Sequence, residues 1–213
     1  MARNKHPEVT VDRILEVSKR LFLEKGYDNT TIQDIVNELD GLTKGAVYYH
    51  FKSKAEIMNA LEDKMFFDND PFEAIKKHTE LTALEKIRLV IKQNKSDEDQ
   101  MELMKQSIPL LENPHVLAKS LDTNRRILFP RWLELIEEGQ KDGSIQVENA
   151  QPLAEFLVLL DFWFIPSLFP GGNEEFYQRY LFITELLDKM GLPIRDKEME
   201  GYVMNSPLFS DQV

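Results

Sequence analysis

Apolar residues recur along this chain at the spacing of helices rather than of strands. In the first segment they fall three, four and seven positions apart, which places them on one side of a helix. The stripe consists of Val11, Ile14, Leu15, Ser18, Leu21 and Phe22. Thr10 can cap the start of this helix, and Gly26 can end it because glycine adopts positive φ freely. No run of alternating residues is long enough to need a sheet, so we predict an all-α fold.

The second, third and fourth helices of the chain are predicted to follow. The second opens at Thr30, with Gln33 completing a capping box. Its apolar stripe consists of Ile32, Ile35, Val36 and Leu39. Asp40-Gly41 then indicates a turn. Another helix is expected from about 43 to 50, and a capping box at 53–56 opens the next one.

The helices of the remaining chain are longer. Apolar stripes predict helices around 84–91 and 101–111, and a third that starts at Asn113-Pro114 and is kinked or interrupted near Pro130. Residues 153–169 are apolar on most sides, which indicates a helix that is buried on most sides. The last long helix is expected to carry the stripe Phe176, Tyr180, Ile183, Leu187 and Met190.

Composition narrows the class of protein. The chain has 213 residues, of which 42% are hydrophobic, enough for a core and too many for disorder along the whole length. It contains no cysteine, which excludes disulfides, thiolate metal sites and a cysteine nucleophile. No segment has the length and hydropathy of a membrane span, and the N-terminus lacks the apolar stretch of a signal peptide. We therefore expect a cytoplasmic protein without membrane contact.

The formal net charge of −11 argues at first against a nucleic-acid partner. The distribution of the charges changes that conclusion. Residues 1–54 carry 9 basic and 8 acidic groups, a net of +1, whereas the remaining chain carries 17 basic and 29 acidic groups, a net of −12. The total charge therefore does not exclude an anion-binding face in the first quarter of the chain.

The first fifty-five residues have the features of a helix-turn-helix DNA-binding motif. Three helices are predicted there, and a tight turn precedes the third. Gly41 suits the turn, while Leu42, Val47 and Phe51 can hold the third helix to a core. The other face of this helix carries small, cationic and hydrogen-bonding side chains suited to phosphates and base edges. They are Thr43, Lys44, Ala46, Tyr48, Tyr49 and His50.

These residues resemble a known family. The segments Gly26-Tyr27-x-x-Thr30-Thr31-Ile32-x-x-Ile35 and Thr43-Lys44-Gly45-Ala46-Val47-Tyr48-Tyr49-His50-Phe51-Lys52-Ser53-Lys54 are similar to the signature of the TetR/AcrR family of bacterial repressors. The resemblance covers about a quarter of the chain. Where the family commonly reads Ala-Gly-Val-Ser-Lys-Gly, this chain reads Leu39-Asp40-Gly41-Leu42-Thr43-Lys44-Gly45, so the turn is one residue longer.

The resemblance implies a set of residues at the DNA. In chain order they are Thr30, Thr31, Thr43, Lys44, Gly45, Ala46, Tyr48, Tyr49, His50, Lys52 and Lys54. The first two threonines would bring the N-terminus of the second helix to a phosphate, and Gly45 would permit close approach to the groove. The lysines would neutralise phosphates, while Arg3 and Lys5 would lie along the minor groove. Taken singly, the aromatic side chains favour a core role and the lysines a solvated face, but their joint spacing favours DNA binding.

The resemblance also implies a helical ligand-binding and dimerisation domain behind the DNA-binding domain. The predicted division is 1–54 for DNA binding, 55–193 for the ligand and the dimer, and 194–213 for a tail whose apolar residues favour docking. The last two long helices are the expected surface of a homodimer that binds a palindromic operator in double-stranded DNA. The alternative is that the stripe on the final helix serves only the core of its own chain.

A small-molecule effector is expected among the middle helices. Its candidate contacts are Met104, Ile108, Phe129, Trp132, Asp161, Phe162 and Trp163, for which an ordinary core role is the alternative. Asp161 interrupts an apolar run, and a buried carboxylate beside aromatic rings would suit a cationic, lipophilic ligand. An ion pair with Arg179, or plain exposure, is the alternative for this residue.

The predicted function is therefore a ligand-responsive repressor without a cofactor or metal. An enzyme is one rival, but the chain has no Gly-rich phosphate loop, no Gly-x-Ser-x-Gly elbow and no metal-ligand cluster. Its histidines, His6, His50, His78 and His115, are scattered. A protein-binding adaptor that uses the acidic body as its contact surface is the second rival.

Overall fold

The computed structural model describes residues 7–93 and 98–204 of the chain. Throughout this part every regular element is a helix, as the apolar spacing predicted, and no helix in it is long and apolar enough to cross a bilayer. A 3₁₀ turn at Ile108–Glu112 precedes α8. The α-helices are α1 Pro7–Lys25, α2 Ile32–Asn37, α3 Lys44–His50, α4 Lys54–Asp68, α5 Pro71–Ile75, α6 Ala83–Gln93, α7 Glu98–Ser107, α8 Pro114–Asp142, α9 Ala150–Trp163, α10 Asn173–Lys189 and α11 Lys197–Met204.

The helices form two compact units. The first contains α1 to α4 and α7, and the second contains α5, α6 and α8 to α11. Both α4 and α7 begin beyond residue 53, so the compact first unit extends past the predicted DNA-binding segment of 1–54. The division of functions between 1–54, 55–193 and 194–213 stays a prediction. The described N-terminal boundary leaves Arg3 and Lys5 outside the described residues.

The core of the first unit forms around α1. Ile14 and Phe22 of this helix are fully enclosed, together with Ile35 of α2 and Val47 of α3. Phe51, directly after α3, is 7% exposed in the same cluster. Burying one such side chain contributes about 1.5–3 kcal/mol to folding. The prediction that Val47 and Phe51 hold the third helix to the core is therefore confirmed.

The second helix begins one residue later than the sequence predicted. Thr31 caps it, with its hydroxyl accepting from the backbone N–H of Asp34 (3.1 Å) and the Asp34 carboxylate accepting from the N–H of Thr31 (2.8 Å). Thr30 is buried, and its hydroxyl lies 2.9 Å from the carbonyl oxygen of Gly26. The predicted box of Thr30 and Gln33 is therefore wrong, because a buried hydroxyl takes its partner from the end of α1.

Packing in the second unit follows the long helix α8, which contacts α9 and α6. Ile136 of α8 is fully buried, as are Leu153 and Leu187 from the two helices that follow. Pro130 does not interrupt the helix, because α8 continues through the proline and is capped at its end by Gly143, with φ of +80°.

Pro130 has no backbone N–H and therefore removes one hydrogen-bond donor from α8. The next residue, Arg131, makes a charged contact. Arg131 donates to the carbonyl oxygen of Ile127 (3.0 Å) and to the carboxylate of Asp70 (2.6 Å). Asp70 is buried and caps α5 by accepting from the N–H of Phe72 (2.9 Å). The Arg131 side chain therefore ties the start of α5 to the middle of α8.

The apolar stripe of α10 faces inward. Tyr180, Ile183 and Leu187 are all buried within their own chain. Most of this stripe therefore has the core role that was the alternative, although Met190 at its end is 40% exposed, and the dimer surface on the last two long helices stays a prediction. The large apolar residues that remain exposed within α9 and α10 are Leu159, at 53%, and Phe182, at 60%. Neither belongs to the stripe.

The chain after α10 packs back onto other helices of the same second unit. Gly191 adopts φ of +95°, and a Cβ there would lie 2.6 Å from a backbone atom of Gln146, so only glycine suits this turn. Met199 of α11 is 1% exposed, and α11 packs against α6. This described part of the predicted tail is therefore docked. The expected apolar contacts of the side chains at 202 and 203, and of residues 208 and 209, lie outside the described residues.

Candidate nucleic-acid interface

The turn between α2 and α3 is held by two arginines of α1. Arg20 donates to the carboxylate of Glu38 (2.9 Å), and this hydrogen bond raises the pKa of the guanidinium. Arg13 donates to the carbonyl oxygen of Asp40 (3.2 Å). Gly41 supplies the positive φ of +76° that the turn requires. The extra residue of this turn is thus accommodated without a break in the helix-turn-helix.

The third helix, α3, has one buried face and one exposed face. Thr43 caps it by accepting from the N–H of Ala46 (3.3 Å), and Val47 points into the core. On the exposed side, Tyr48 is 40% and Tyr49 is 76% exposed. Such large aromatic side chains left at the surface of a helix are typical of a binding face.

The remaining predicted residues of α3 extend the same surface. Lys44 and Gly45 are exposed, and the Lys44 amine lies 6.0 Å from the centre of the Tyr48 ring. The His50 ring is half-buried and meets the edge of Tyr49, with ring centres 5.0 Å apart. Cations, hydroxyls and aromatic rings therefore share one side of α3, which is what contact with phosphates and base edges requires.

The two threonines before α2 have different environments. Thr31 is exposed at the helix N-terminus, where a phosphate would find free backbone N–H groups. Thr30 is buried and its hydroxyl is turned toward α1. Asp34 lies beside Thr31, and the hydrogen bonds from Thr31 lower the pKa of its carboxyl group. Of the pair, only Thr31 is presented to solvent in this conformation.

The two lysines after α3 also differ. Lys52 is exposed, and its amine donates to the carbonyl oxygen of Tyr48 (3.1 Å) at the end of α3. The Lys54 amine lies 4.0 Å from the centre of the Tyr27 ring and donates to the carbonyl oxygens of Tyr27 and Thr30. Burial lowers the pKa of Lys54. Lys54 therefore ties the start of α4 to the loop after α1, whereas Lys52 stays at the surface.

Sequence reasoning missed a second tie to the same loop. The backbone N–H of Tyr27 donates to the side chain of Gln106 in α7 (2.8 Å). The partners are 79 positions apart, and a single glutamine in a polar helix carries no signal that it reaches a distant backbone group. Tyr27 is part of the motif that begins at Gly26, and burial raises the pKa of its hydroxyl.

The predicted effector contacts divide between the two units. Met104 and Ile108 belong to the first, and the others belong to the second: Phe129, Trp132, Asp161, Phe162 and Trp163. Trp132 packs edge-on against Phe72, with ring centres 4.8 Å apart.

Asp161 is exposed rather than buried. Its predicted partner Arg179 donates instead to the carbonyl oxygens of Phe169 (2.9 Å) and Pro170 (3.0 Å). The expectation of a buried carboxylate at Asp161 is therefore wrong, because this position of α9 faces away from the core of its unit.

The first unit contains a buried carboxyl group that the sequence did not reveal. Burial raises the pKa of Glu62 in α4 to about 7, with the nearby charge of Asp63 adding to the effect. Its partner is the hydroxyl of Ser107 at the end of α7, which donates in turn to the carbonyl oxygen of Met104 (2.9 Å). Among the described residues, no group of three His, Asp or Glu side chains is arranged to hold a metal ion.

The geometry of the first unit agrees with comparisons to known proteins. Residues 14–61 match the family model described as bacterial regulatory proteins, tetR family, and this segment includes every residue predicted at the DNA except Arg3 and Lys5. Over 58 residues the chain is 43% identical to the HTH-type transcriptional regulator TtgR of Pseudomonas putida. That match covers 27% of this chain and 27% of TtgR, so the chain spans about a quarter of the length of this relative.

Two solved structures resemble more of the chain. A TetR-family transcriptional regulator from Pectobacterium atrosepticum has a TM-score of 0.65 at 21% identity, covering 91% of this chain and 100% of that one. A transcriptional regulator from Saccharomonospora viridis, solved in complex with choline, has a TM-score of 0.53 at 25% identity, covering 83% and 96%. The all-α fold and the two-sided α3 are those of a helix-turn-helix segment. Over residues 14–61 the chain is similar to the bacterial regulatory proteins of the tetR family.

The exposed glycine of α3 gives a test of close approach to DNA. A Cβ at Gly45 would meet only the Thr43 hydroxyl at 3.8 Å, so Gly45→Ala is expected to fold and to gain about 0.5–1 kcal/mol of helix stability. We expect it to bind at least about tenfold more weakly to DNA that the wild type selects from a random library, because the methyl group separates α3 from the groove. Thermal unfolding and mobility shift measure the two effects.

Gly201→Ala is the matched control, because that position lies in α11 and has no atom within 4 Å of an added Cβ. It is expected to leave DNA affinity unchanged. Unchanged affinity in Gly45→Ala would contradict the assignment of Gly45 to the interface.

Glu62 gives a test of the buried carboxyl group. Its folded pKa of about 7 lies above the ordinary 4.5, so the folded chain holds more protons than the unfolded chain between these pH values. Its stabilising contribution is thus complete below pH 4.5 and is lost as the pH rises to 7. Glu62→Gln is expected to match the wild type near pH 4.5 and to exceed it by about 2–3 kcal/mol at pH 8 in urea unfolding. An equal difference at both pH values, as expected for exposed Glu112→Gln, would contradict burial.

Proposed function

We propose that this protein is a dimeric repressor that binds a palindromic operator through α3 and is released by a small-molecule effector. The observation that carries the proposal is the two-sided α3, with Val47 fully buried on one side and Tyr49 76% exposed on the other. The operator contacts are assigned to Thr31, Thr43, Lys44, Gly45, Ala46, Tyr48, Tyr49, His50 and Lys52. Thr30 and Lys54 are not assigned to the DNA, because they hold the loop before α2 in place.

Among the described residues assigned to the operator, two lysines are exposed, and this sets how the interface would work. They are Lys44 and Lys52, whereas Arg20 is paired with Glu38 (2.9 Å). Each phosphate contact contributes a slope of about −0.9 in log K against log salt, so few contacts give weak non-specific binding. Specificity then depends on the base edges reached by α3. The acidic remainder of the chain would further discourage binding elsewhere on DNA.

Two copies are needed to read a full site, because one recognition helix covers too few base pairs. We assign the dimer contact to a surface of α9 and α10 defined by Leu159, Trp163 and Phe182. Leu159 is 53% and Phe182 is 60% exposed, and the rings of Trp163 and Phe182 lie 6.0 Å apart. Exposed apolar side chains on neighbouring helices favour burial against a second copy. This surface replaces the inward-facing stripe of α10.

The dimer surface gives the next prediction. Phe182→Glu places a charge where two copies would exclude water, so we expect sedimentation at micromolar concentration to change from dimer to monomer. Operator affinity is expected to fall by about a hundredfold or more, since the two recognition helices are no longer joined. Phe67→Glu is the matched control, because Phe67 of α4 is also exposed, at 51%, but lies outside this surface. A wild-type monomer, or a Phe182→Glu dimer, would contradict the assignment.

An effector that is cationic and lipophilic is the proposed ligand class. The structural relative from Saccharomonospora viridis was solved with choline, a cation, which supports the class. Asp161 no longer supports it, since this residue is exposed. The buried carboxyl group of Glu62, close to Met104 and Ser107, is the better candidate, because a carboxylate in apolar surroundings favours a desolvated cation. The contacts predicted at Phe129, Trp132 and Phe162 stay predictions, and Trp163 is assigned here to the dimer surface instead.

Genome-wide mapping of bound DNA tests the proposed function directly. We expect the protein to select a palindrome near its own gene, with half-sites about one helical turn apart. The affinity for this palindrome is expected to fall steeply with salt, and Lys52→Ala is expected to reduce the salt slope by about 1 for each protomer. Binding without sequence preference, or no binding, would favour the protein-binding adaptor or the enzyme instead.

A further inference from the structure

The sequence contains two Asp-Gly pairs, Asp40-Gly41 and Asp142-Gly143. In such a pair the side-chain carboxyl carbon of the aspartate is close to the next backbone nitrogen, and glycine has no Cβ to obstruct their contact. The two atoms can join in a five-membered imide ring if the carboxyl group is not held elsewhere and the nitrogen is accessible. The surroundings of each pair therefore decide whether it is reactive.

Asp40 and Gly41 are the two central residues of the turn between α2 and α3. The turn is closed by a hydrogen bond from the backbone N–H of Leu42 to the carbonyl oxygen of Leu39 (3.1 Å). Asp40 and Gly41 are both exposed, and a Cβ at Gly41 would have no atom within 4 Å. Neither the Asp40 carboxylate nor the Gly41 N–H has a hydrogen-bond partner in the described part of the chain. Both reacting groups therefore face solvent.

The second pair has different surroundings. Asp142 ends α8, and its two carboxylate oxygens accept hydrogen bonds from the backbone N–H groups of Ala83 and Ser144, at 2.8 Å each. Hydrogen bonds to a charged group are stronger than neutral ones, and attack on this carboxyl group requires that they break first. Asp142-Gly143 is therefore a matched comparison for Asp40-Gly41 within the same chain.

Arg13 of α1 lies beside the first pair and influences which product forms. Its guanidinium donates to the main-chain carbonyl oxygen of Asp40 (3.2 Å). When water opens the imide ring, attack at the side-chain carbonyl restores aspartate, whereas attack at the main-chain carbonyl gives isoaspartate. A cation that donates to the main-chain oxygen stabilises the negative charge that develops there. Arg13 therefore favours isoaspartate.

We propose that Asp40-Gly41 is a site of spontaneous isoaspartate formation, and that this modification inactivates the exposed surface of α3. The Gly41 nitrogen attacks Cγ of the protonated Asp40 carboxyl group, the N–Cγ bond forms, and the hydroxyl group leaves as water with the amide proton. A second water then adds to the main-chain carbonyl carbon of Asp40 and breaks its bond to nitrogen. One water is lost and one is gained, so no oxidant or cofactor takes part.

The product lengthens the main chain in the turn. The chain then runs through the Asp40 side chain, which adds one carbon between Leu39 and Leu42. Leu39 is 3% exposed and Leu42 packs against the same core cluster, so a longer segment cannot keep both contacts and the hydrogen bond between them. Because α3 begins at Lys44, its position relative to α2 changes. The chemistry is independent of the proposed function, whereas its effect on DNA binding rests on it.

Incubation of the whole protein at neutral pH and physiological temperature tests the site. Enzymatic methylation of the new α-carboxylate measures isoaspartate, and fragmentation of tryptic peptides locates it. We expect it to accumulate at Asp40 at least about tenfold faster than at Asp142, whose carboxylate is held by two backbone donors. Equal rates at the two pairs, or no isoaspartate at Asp40, would overturn the proposal.

The same incubation in oxygen-labelled water tests the role of Arg13, because both products of ring opening then carry the label. Among labelled peptides, we expect the ratio of isoaspartate to aspartate at Asp40 to fall in Arg13→Met toward that of a short peptide of residues 37–44. The ratio is the readout, because loss of Arg13 also loosens the turn and changes the rate. A ratio that is the same in the wild type and in the short peptide would overturn the role of Arg13.

DNA that the fresh wild type selects measures the consequence for α3. The isoaspartate form is expected to bind it at least about tenfold more weakly, because a displaced α3 loses its base contacts. Asp40→Glu would need a larger ring, which closes far more slowly, and is expected to keep its affinity during incubation. Asp142→Glu is the matched control and is expected to lose affinity like the wild type. Treatment with the methyltransferase and its methyl donor is expected to restore the aged wild type, since the methyl ester returns to the imide.

Thermal unfolding gives a readout that needs no DNA. The aged wild type is expected to melt at a lower temperature than the fresh protein, whereas aged Asp40→Glu is expected to be unchanged. If the fresh protein binds no DNA, the proposed function fails, but isoaspartate at Asp40 and the change in melting temperature still decide this inference. Equal losses of affinity and of melting temperature in Asp40→Glu and the wild type would overturn the consequence assigned to the modification.

Discussion

The buried side of α3 is the constraint on which the rest of the first unit depends. A helix of seven residues is too short to be stable alone, so tertiary contacts must hold it in place. Val47 supplies that contact by entering the cluster built on Ile14 and Phe22. Because this one residue faces inward, the cationic and aromatic residues around it face outward. The surface proposed to read DNA is thus a consequence of core packing.

Contacts to the loop after α1 extend this arrangement to helices farther along the chain. Lys54 at the start of α4 and Gln106 in α7 both bond the backbone at Tyr27 or next to it. Displacement of α4 or α7 would therefore disturb the segment that leads into α2. The buried Glu62 bridges the same two helices through Ser107. An effector that bound differently to two positions of these helices would shift the population of DNA-binding states, which is the thermodynamic requirement for release.

The helices themselves were predictable to a large extent. Apolar spacing identified the all-α fold, and side-chain caps marked starts such as those of α4 and α8. The motif around α3 identified its anchor and its exposed face from local positions alone. Errors arose where the local sequence was equally consistent with two interpretations. Thr30 and Thr31 are both good caps, and only the position of the α1 carbonyl groups selected between them.

The sequence by itself determined most of the helices and which side of α3 is apolar, because both depend on neighbours within a few positions. Only the tertiary structure decided what covers each face. It buried Tyr180 within its own unit, left Asp161 exposed and enclosed Glu62, although an apolar run predicted the reverse for Asp161. The physical reason is that periodicity defines a face but not its partner. The partner comes from residues farther along the chain, such as Met199, which lies in one buried cluster with Tyr180.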